Sequence, residues 1–95
     1  MKIRYTRRAA SELLAVLDYI DERSPQGAER VKARLKAIIA LLAEHPRIGR
    51  RTTKRDIRRI VASPYPYLVF YRATDTEVVI YAIRHAARRP AFSRR

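Results

Sequence analysis

The sequence contains no cysteine and no tryptophan, and only two glycines occur in 95 residues. Without cysteine, a disulfide framework and a thiolate metal site are both excluded. No apolar run approaches the roughly 18 residues that cross a bilayer. Met1 to Tyr5 also lack the apolar run of a secretory signal. These absences lead us to expect a cytoplasmic protein that has no membrane association.

Side chains that bind metals or transfer protons are scarce and scattered. The two histidines, His45 and His85, lie on different predicted elements, and neither has partners at ligand spacing. Two glycines cannot build a glycine-rich phosphate loop. Residues 47–95 hold three acids, which disfavours a mechanism that uses paired carboxylates. We therefore expect neither a metal nor a cofactor.

Positive charge is abundant and unevenly distributed. The net charge is +13; residues 1–46 hold nine Lys and Arg against six acids, and residues 47–95 hold thirteen against three. A basic half of this kind attracts a polyanion or an acidic protein segment. The alternative is a solvated basic surface that aids solubility.

The length bounds the architecture. Ninety-five residues are enough for one small domain. We predict a single domain over residues 1–95, with a frayed tail at residues 91–95.

Two amphipathic helices are predicted in the first half. Thr6 is a suitable N-cap, and apolar residues recur at helical spacing from Ala9 to about Glu22. Ser24 and Pro25 provide a second N-cap and a proline at the first helical position. This second helix should end at His45, and the short link between the helices predicts a helical hairpin.

Strand-forming runs frame this hairpin. We predict a first strand at residues 2–5, a loop at 46–54, and three further strands at 55–62, 67–72 and 77–84. The order β-α-α-β-β-β predicts an α+β fold, in which an N-terminal strand and a helical hairpin pack on a small, mainly antiparallel sheet. The last strand is apolar on both faces, which is typical of a central strand.

Cations and aromatic residues gather on the predicted strands and just beyond them. This group comprises Arg58, Arg59, Tyr71, Arg72, Tyr81, Arg84, His85 and Arg88. Arginines can hold phosphates, and His and Tyr can transfer protons. A metal-independent nuclease could be built from such parts, with His85, Arg88 and Tyr71 as its catalytic candidates. The structural alternative is that the arginines are solvated and the tyrosines belong to the core.

Three motifs in order resemble the ParE branch of the RelE/ParE superfamily of bacterial toxins. The first is a strand and a helical hairpin that ends in His45-Pro46, with Gly49 just after. The second, residues 65–72, is similar to the Pro-Tyr-x-x-x-Tyr-Arg strand of the family. The third, residues 83–90, is similar to the closing His-x-x-Arg-x-Pro motif. The resemblance covers about residues 2–90.

This resemblance implies the toxin of a type II toxin–antitoxin module, as in plasmid stabilisation systems. Such a toxin inhibits growth and is neutralised by a cognate antitoxin with an acidic or amphipathic C-terminal segment. The ParE branch implies DNA gyrase as the target, bound without catalysis. The RelE branch implies a ribosome-dependent mRNA endoribonuclease. No tyrosine follows Arg88 and no lysine follows Lys54, which favours the ParE branch and leaves the enzyme question open.

Two sets of site residues are predicted. We expect the target-binding surface near the end of the last strand, with no sequence-specific nucleic-acid binding, on Arg59, Arg72, Arg84, His85 and Arg88. We expect the antitoxin to bind the apolar face of the hairpin, on Leu13, Leu17, Ile20, Val31 and Leu35.

Overall fold

Both helices begin where the sequence supplies a capping side chain. The computed structural model describes residues 1–87. In it, Thr6 is the N-cap of α1, which comprises Arg7–Asp21. The Thr6 hydroxyl oxygen accepts the Ala9 N–H at 3.0 Å. The Ser24 hydroxyl oxygen accepts the Gly27 N–H at 3.0 Å and begins α2, Pro25–Glu44. Each cap satisfies an amide that has no partner within its helix.

A five-stranded sheet forms the other layer. Its strands are β1, Lys2–Tyr5; β2, Arg50–Arg51; β3, Arg58–Val61; β4, Tyr67–Ala73; and β5, Glu77–His85. The order across the sheet is β1-β5-β4-β3-β2, in which β1 runs parallel to β5 and the other neighbours are antiparallel. The predicted α+β architecture is confirmed, and β5 is a central strand.

One strand was not predicted. Arg50 and Arg51 were assigned to a loop, but they pair with Arg59 and Arg58 as the edge strand β2. The strand predicted at 55–62 is also shorter, because β3 begins at Arg58 and ends at Val61. A strand of two arginines has no apolar alternation, so only its pairing with β3 defines it.

The helices cover one face of the sheet. Their side chains pack on a core from β4 and β5 that includes Val69, Tyr71 and Ile80, all fully buried. Val31 and Leu35 of α2 belong to this core and are 4% and 2% exposed. The prediction that these two residues contact an antitoxin needs correction, because they already pack on the sheet.

The opposite face of the sheet has a much smaller apolar cluster, which consists of Ile57, Phe70 and Ala82 with Leu68 packed against it. The register between β4 and β5 shifts here: Phe70 pairs with Ala82, whereas Tyr71 pairs with Ile80. Tyr81 is the extra residue of this bulge, and it remains partly exposed. Bulges commonly redirect a side chain in this way.

Candidate target-binding groove

A groove of about 1130 Å³ crosses the face of the sheet that the helices leave uncovered. Its floor includes Leu68, Phe70 and Ala82, which alternate with inward-facing residues along β4 and β5. The segment 51–55, which begins at the last residue of β2, lines one side of the groove, and Tyr81 of β5 lines the other side. Six cations line this groove, namely Arg8, Arg51, Lys54, Arg55, Arg59 and Arg72.

The charged side chains of residues 1–87 that line the groove are all cations. No acid among residues 1–87 lines it. Cations on the wall of a concave surface reinforce one another and raise the local concentration of an anionic partner. An apolar floor between such walls can also receive an apolar side chain or a flat ring. The groove therefore suits a partner that presents acidic or phosphate groups beside an apolar group.

Arg72 lies at the centre of this arrangement. Its guanidinium carbon is 5.6 Å from the centroid of the Tyr81 ring, within the range of a cation–π contact. The Arg72 Nε atom is buried and has no hydrogen-bond partner within residues 1–87. A buried donor without an acceptor costs free energy, so an oxygen atom of a bound partner would stabilise it.

The structure separates the predicted target-binding residues. Arg59 and Arg72 line the groove. Arg84 and His85 lie instead in a smaller pocket beside α1, together with Tyr67. The ring of His85 meets the ring of Tyr67 edge-on at 5.2 Å between centroids. Sequence spacing could not reveal this split, because it depends on the contact between Arg84 and Glu12 of α1, which are far apart in the chain.

His85 has a structural hydrogen bond of its own. Its Nδ1 atom accepts the N–H of Ala87 at 3.0 Å, so the ring stabilises the turn that follows β5. Arg88, which was predicted both for target binding and for catalysis, lies outside the described residues.

Tyr71 is a core residue and not a surface catalyst. It is fully buried, and its hydroxyl oxygen accepts the Gly49 N–H at 2.8 Å. Arg58 completes this cluster, since its Nη1 atom donates to the Gly49 carbonyl oxygen at 2.9 Å. Tyr71 and Arg58, both members of the predicted group of cations and aromatic residues, hold the segment before β2 against the sheet.

Raising the pH above about 10 is expected to destabilise the fold through Tyr71. Burial raises the pKa of Tyr71, and the Gly49 N–H and Arg58 oppose that shift only in part. The folded state thus binds the phenolic proton more tightly than the unfolded state. The stabilising effect of the protonated Tyr71 hydroxyl is complete below the unfolded-state pKa of this group. It is lost as pH rises through the folded-state pKa. Urea unfolding between pH 9 and 11.5, a range of roughly one unit or more on each side of the usual tyrosine pKa, measures this loss.

A Tyr71→Phe variant serves as the control for this titration. It should lose less stability over the same pH range, because its ring carries no ionisable group. Burial also raises the pKa of Tyr5, so some alkaline loss should remain in the variant. An identical pH dependence in the two proteins would contradict the assignment to Tyr71.

The residues predicted for antitoxin binding differ in accessibility. Leu13, Leu17 and Ile20 are only partly buried against the core. Leu14, which was not included in that prediction, is 63% exposed on α1. Leu14 is one of the apolar residues at helical spacing in α1, but α2 and the sheet do not cover it. Among residues 1–87, neither helix is long and apolar enough to cross a membrane.

Fold and site together define a small α+β protein that has a basic groove on one face of its sheet. The chain belongs to the family of ParE toxins of type II toxin–antitoxin systems, parDE, whose model matches residues 3–90. It is 44% identical over 84 residues to the toxin RelE2 of Caulobacter vibrioides, which covers 88% of this chain and 93% of that protein. It is therefore a toxin of a type II toxin–antitoxin system, and the family implies a cognate antitoxin partner.

Two solved structures share the fold. The chromosomal ParDE system of P. aeruginosa superposes with a TM-score of 0.77 at 22% identity, covering 90% of this chain and 95% of that one. The isolated RelE toxin of E. coli superposes with a TM-score of 0.65 at 20% identity, covering 97% and 90%. The architecture is thus common to toxins named for both branches, and it does not identify the target of this toxin.

Proposed function

We propose that this toxin inhibits DNA gyrase by binding it, and that it does not cleave mRNA. One observation carries the proposal: the cations of the groove are separated from Tyr71 and His85, the two proton-transfer residues among the catalytic candidates named for a nuclease. Tyr71 lies in the core, and His85 lies in the pocket beside α1. Arg59 and Arg72 line the groove on the other face. A nuclease needs its base within hydrogen-bond reach of the proton that it abstracts.

A binding inhibitor needs only what the groove supplies. Arginine guanidinium groups form bidentate hydrogen bonds to carboxylates or phosphates in fixed geometry. The apolar floor adds contacts that exclude water. Charges of this kind chiefly accelerate association and select the partner, whereas buried anchors supply most of the affinity. Because gyrase and antitoxin both act inside the cell, the proposal also places the toxin in the cytoplasm.

A supercoiling assay with purified gyrase tests this proposal. The toxin should inhibit supercoiling or trap cleaved DNA, and prior addition of the antitoxin should prevent either effect. Translating ribosomes incubated with the same toxin should retain intact mRNA. Toxin-dependent mRNA cuts with unimpaired gyrase would reject the proposal.

A RelE-like endoribonuclease is the second candidate, because the acid-free cationic groove could also hold an RNA backbone. In that case, His85 would have to act from the pocket beside α1, or Arg88 and the chain beyond the described residues would have to contribute. Substituting His85 by alanine separates the two functions. A nuclease should lose on the order of 10²–10⁴-fold in cleavage rate without its base, whereas a gyrase inhibitor should be affected only through the local turn.

We further propose that the antitoxin binds the exposed face of α1, beside Leu13, Leu17 and Ile20, with Leu14 as an additional anchor. Replacing Leu14 by aspartate should weaken the complex by about 10- to 100-fold, the effect of losing one buried leucine side chain. Titration calorimetry with the purified antitoxin measures this change. Ala33→Asp on α2 also adds a carboxylate at an exposed helical position, and it should leave the affinity near the native value. Equal affinities for the two variants would exclude Leu14 from the interface.

A further inference from the structure

Within residues 1–87, the far end of β5 has no neighbouring strand on the side of β1. The register of β1 with β5 stops at the pair Tyr5 and Ile80, although β5 continues to His85. An uncovered strand edge exposes amide and carbonyl groups that need partners. The residues from Tyr81 onward therefore need another source of hydrogen bonds.

The start of α1 supplies these partners. Thr6 donates its N–H to the Ile80 carbonyl oxygen at 3.0 Å. Its hydroxyl donates to the Tyr81 carbonyl oxygen at 3.1 Å. Ile83 then donates its N–H to Glu12 Oε1 at 2.9 Å. Two side chains and one amide from α1 thus take the place of a strand along this edge.

Glu12 has a second role at the same point. Its Oε2 atom lies 3.5 Å from Arg84 Nη2 and 3.2 Å from Arg8 Nε. One carboxylate therefore joins the β5 backbone, the Arg84 side chain and the first turns of α1. The Arg84 side chain is 17% exposed, less than that of Arg4 or Arg8 in their own ion pairs. The contact with Glu12 thus places the guanidinium group of Arg84 beside α1.

We propose that Glu12 is a positioning residue for the toxic surface: it closes the edge of β5 and sets where Arg84 lies. This inference rests on the sequence-based prediction that Arg84 takes part in target binding, and it extends the proposed binding surface from the groove to the pocket beside α1. Glu12 need not touch the target. The carboxylate acts through Arg84 and through the end of β5, from which the chain continues to His85.

The two roles of Glu12 can be separated by substitution. Glutamine keeps a side-chain oxygen that can accept the Ile83 N–H, but it removes the charge that holds Arg84. Alanine removes both the oxygen that accepts the Ile83 N–H and the charge that holds Arg84. Asp18→Asn is the matched control, because Asp18 is an exposed acid on the same helix and takes part in no ion pair within residues 1–87.

Amide hydrogen exchange of the free toxin tests the structural role. Ile83 should exchange about tenfold faster or more in Glu12→Ala, because it loses its acceptor and opens locally. In Glu12→Gln and Asp18→Asn its protection should stay near native. Unchanged exchange in the alanine variant would show that Glu12 does not close this edge.

Growth inhibition tests the positioning role without assuming a target. Glu12→Gln should reduce toxicity by about tenfold or more, comparable to losing one important charge at a binding surface, with a native melting temperature. In an Arg84→Ala background, the same change should have no additional effect, because Glu12 acts through Arg84. Full toxicity of Glu12→Gln, or additive losses in the double variant, would overturn the proposal. If toxicity follows these rules while gyrase is not inhibited, the positioning role stands and the proposed target fails.

Discussion

Replacing Gly49 by alanine is expected to destabilise the fold by about 1–3 kcal/mol or more. A Cβ atom at this position would lie 2.5 Å from the Tyr71 hydroxyl oxygen, 2.7 Å from Tyr71 Cε1 and 2.9 Å from the Arg59 carbonyl oxygen. The tyrosine is fully buried, and the carbonyl belongs to the backbone of β3, so neither can move away at low cost. Any shift also weakens the hydrogen bond between Gly49 and Tyr71.

Urea unfolding and thermal melting both measure this effect. For a domain of this size, each kcal/mol lowers the melting temperature by roughly 4–8 °C. Gly27→Ala is the matched control, because its Cβ would meet no atom closer than 3.1 Å. It also lies in a helix, where alanine is favoured over glycine by about 0.5–1 kcal/mol. Equal stability of the two variants would contradict the close packing inferred around Gly49.

Local signals in the sequence made both helices and the two long strands, β4 and β5, predictable. Thr6, Ser24 and Pro25 define the helix starts through hydrogen bonds and dihedral preferences that depend on neighbouring residues alone. The apolar runs at residues 67–72 and 77–84 predicted β4 and β5 within one residue at each end. These elements could be predicted because their stabilising interactions are encoded within a few positions of one another.

The site was less predictable because its geometry depends on non-local pairing. The extra residue Tyr81 in β5 becomes visible only when β4 fixes the register. Arg84 pairs with Leu68 of the groove floor, and its contact with Glu12 takes its side chain to the pocket beside α1. Likewise, Glu12 and Ile83 are 71 positions apart in the chain, and no periodicity in the sequence connects them.

The hydrogen bonds of Gly49 with Tyr71 and Arg58 also affect the geometry of the groove. Arg58 and Arg59 are adjacent in β3, and their side chains take opposite roles. Arg58 holds the Gly49 carbonyl oxygen, whereas Arg59 lines the groove. The groove wall at residues 51–55 follows directly from the segment that Tyr71 and Arg58 anchor. A partner therefore meets a wall whose base is fixed to the core, which lowers the entropy lost on binding.

Removing both groove arginines, Arg59→Ala with Arg72→Ala, is expected to abolish inhibition of gyrase while the protein stays folded. Each arginine at the centre of an interface can contribute about 2 kcal/mol or more, so the pair should weaken inhibition by at least about 100-fold. The core contacts of β3 and β4 come from other side chains, including Val69 and Tyr71. The melting temperature should therefore change by only a few degrees, roughly the effect of a surface substitution.

Supercoiling inhibition measured over a range of toxin concentrations gives this loss directly. Arg30→Ala with Lys32→Ala removes the same charge from exposed positions of α2, and it should leave inhibition near native. Arg72→Lys then distinguishes charge from geometry: lysine keeps the charge but not the planar fork that lies over Tyr81, so partial loss is expected. If the α2 variant loses as much inhibition as the groove variant, net charge and not the groove would be responsible. If the folded groove variant inhibits fully, the target must bind elsewhere, and the pocket of Arg84 and His85 becomes the surface to test.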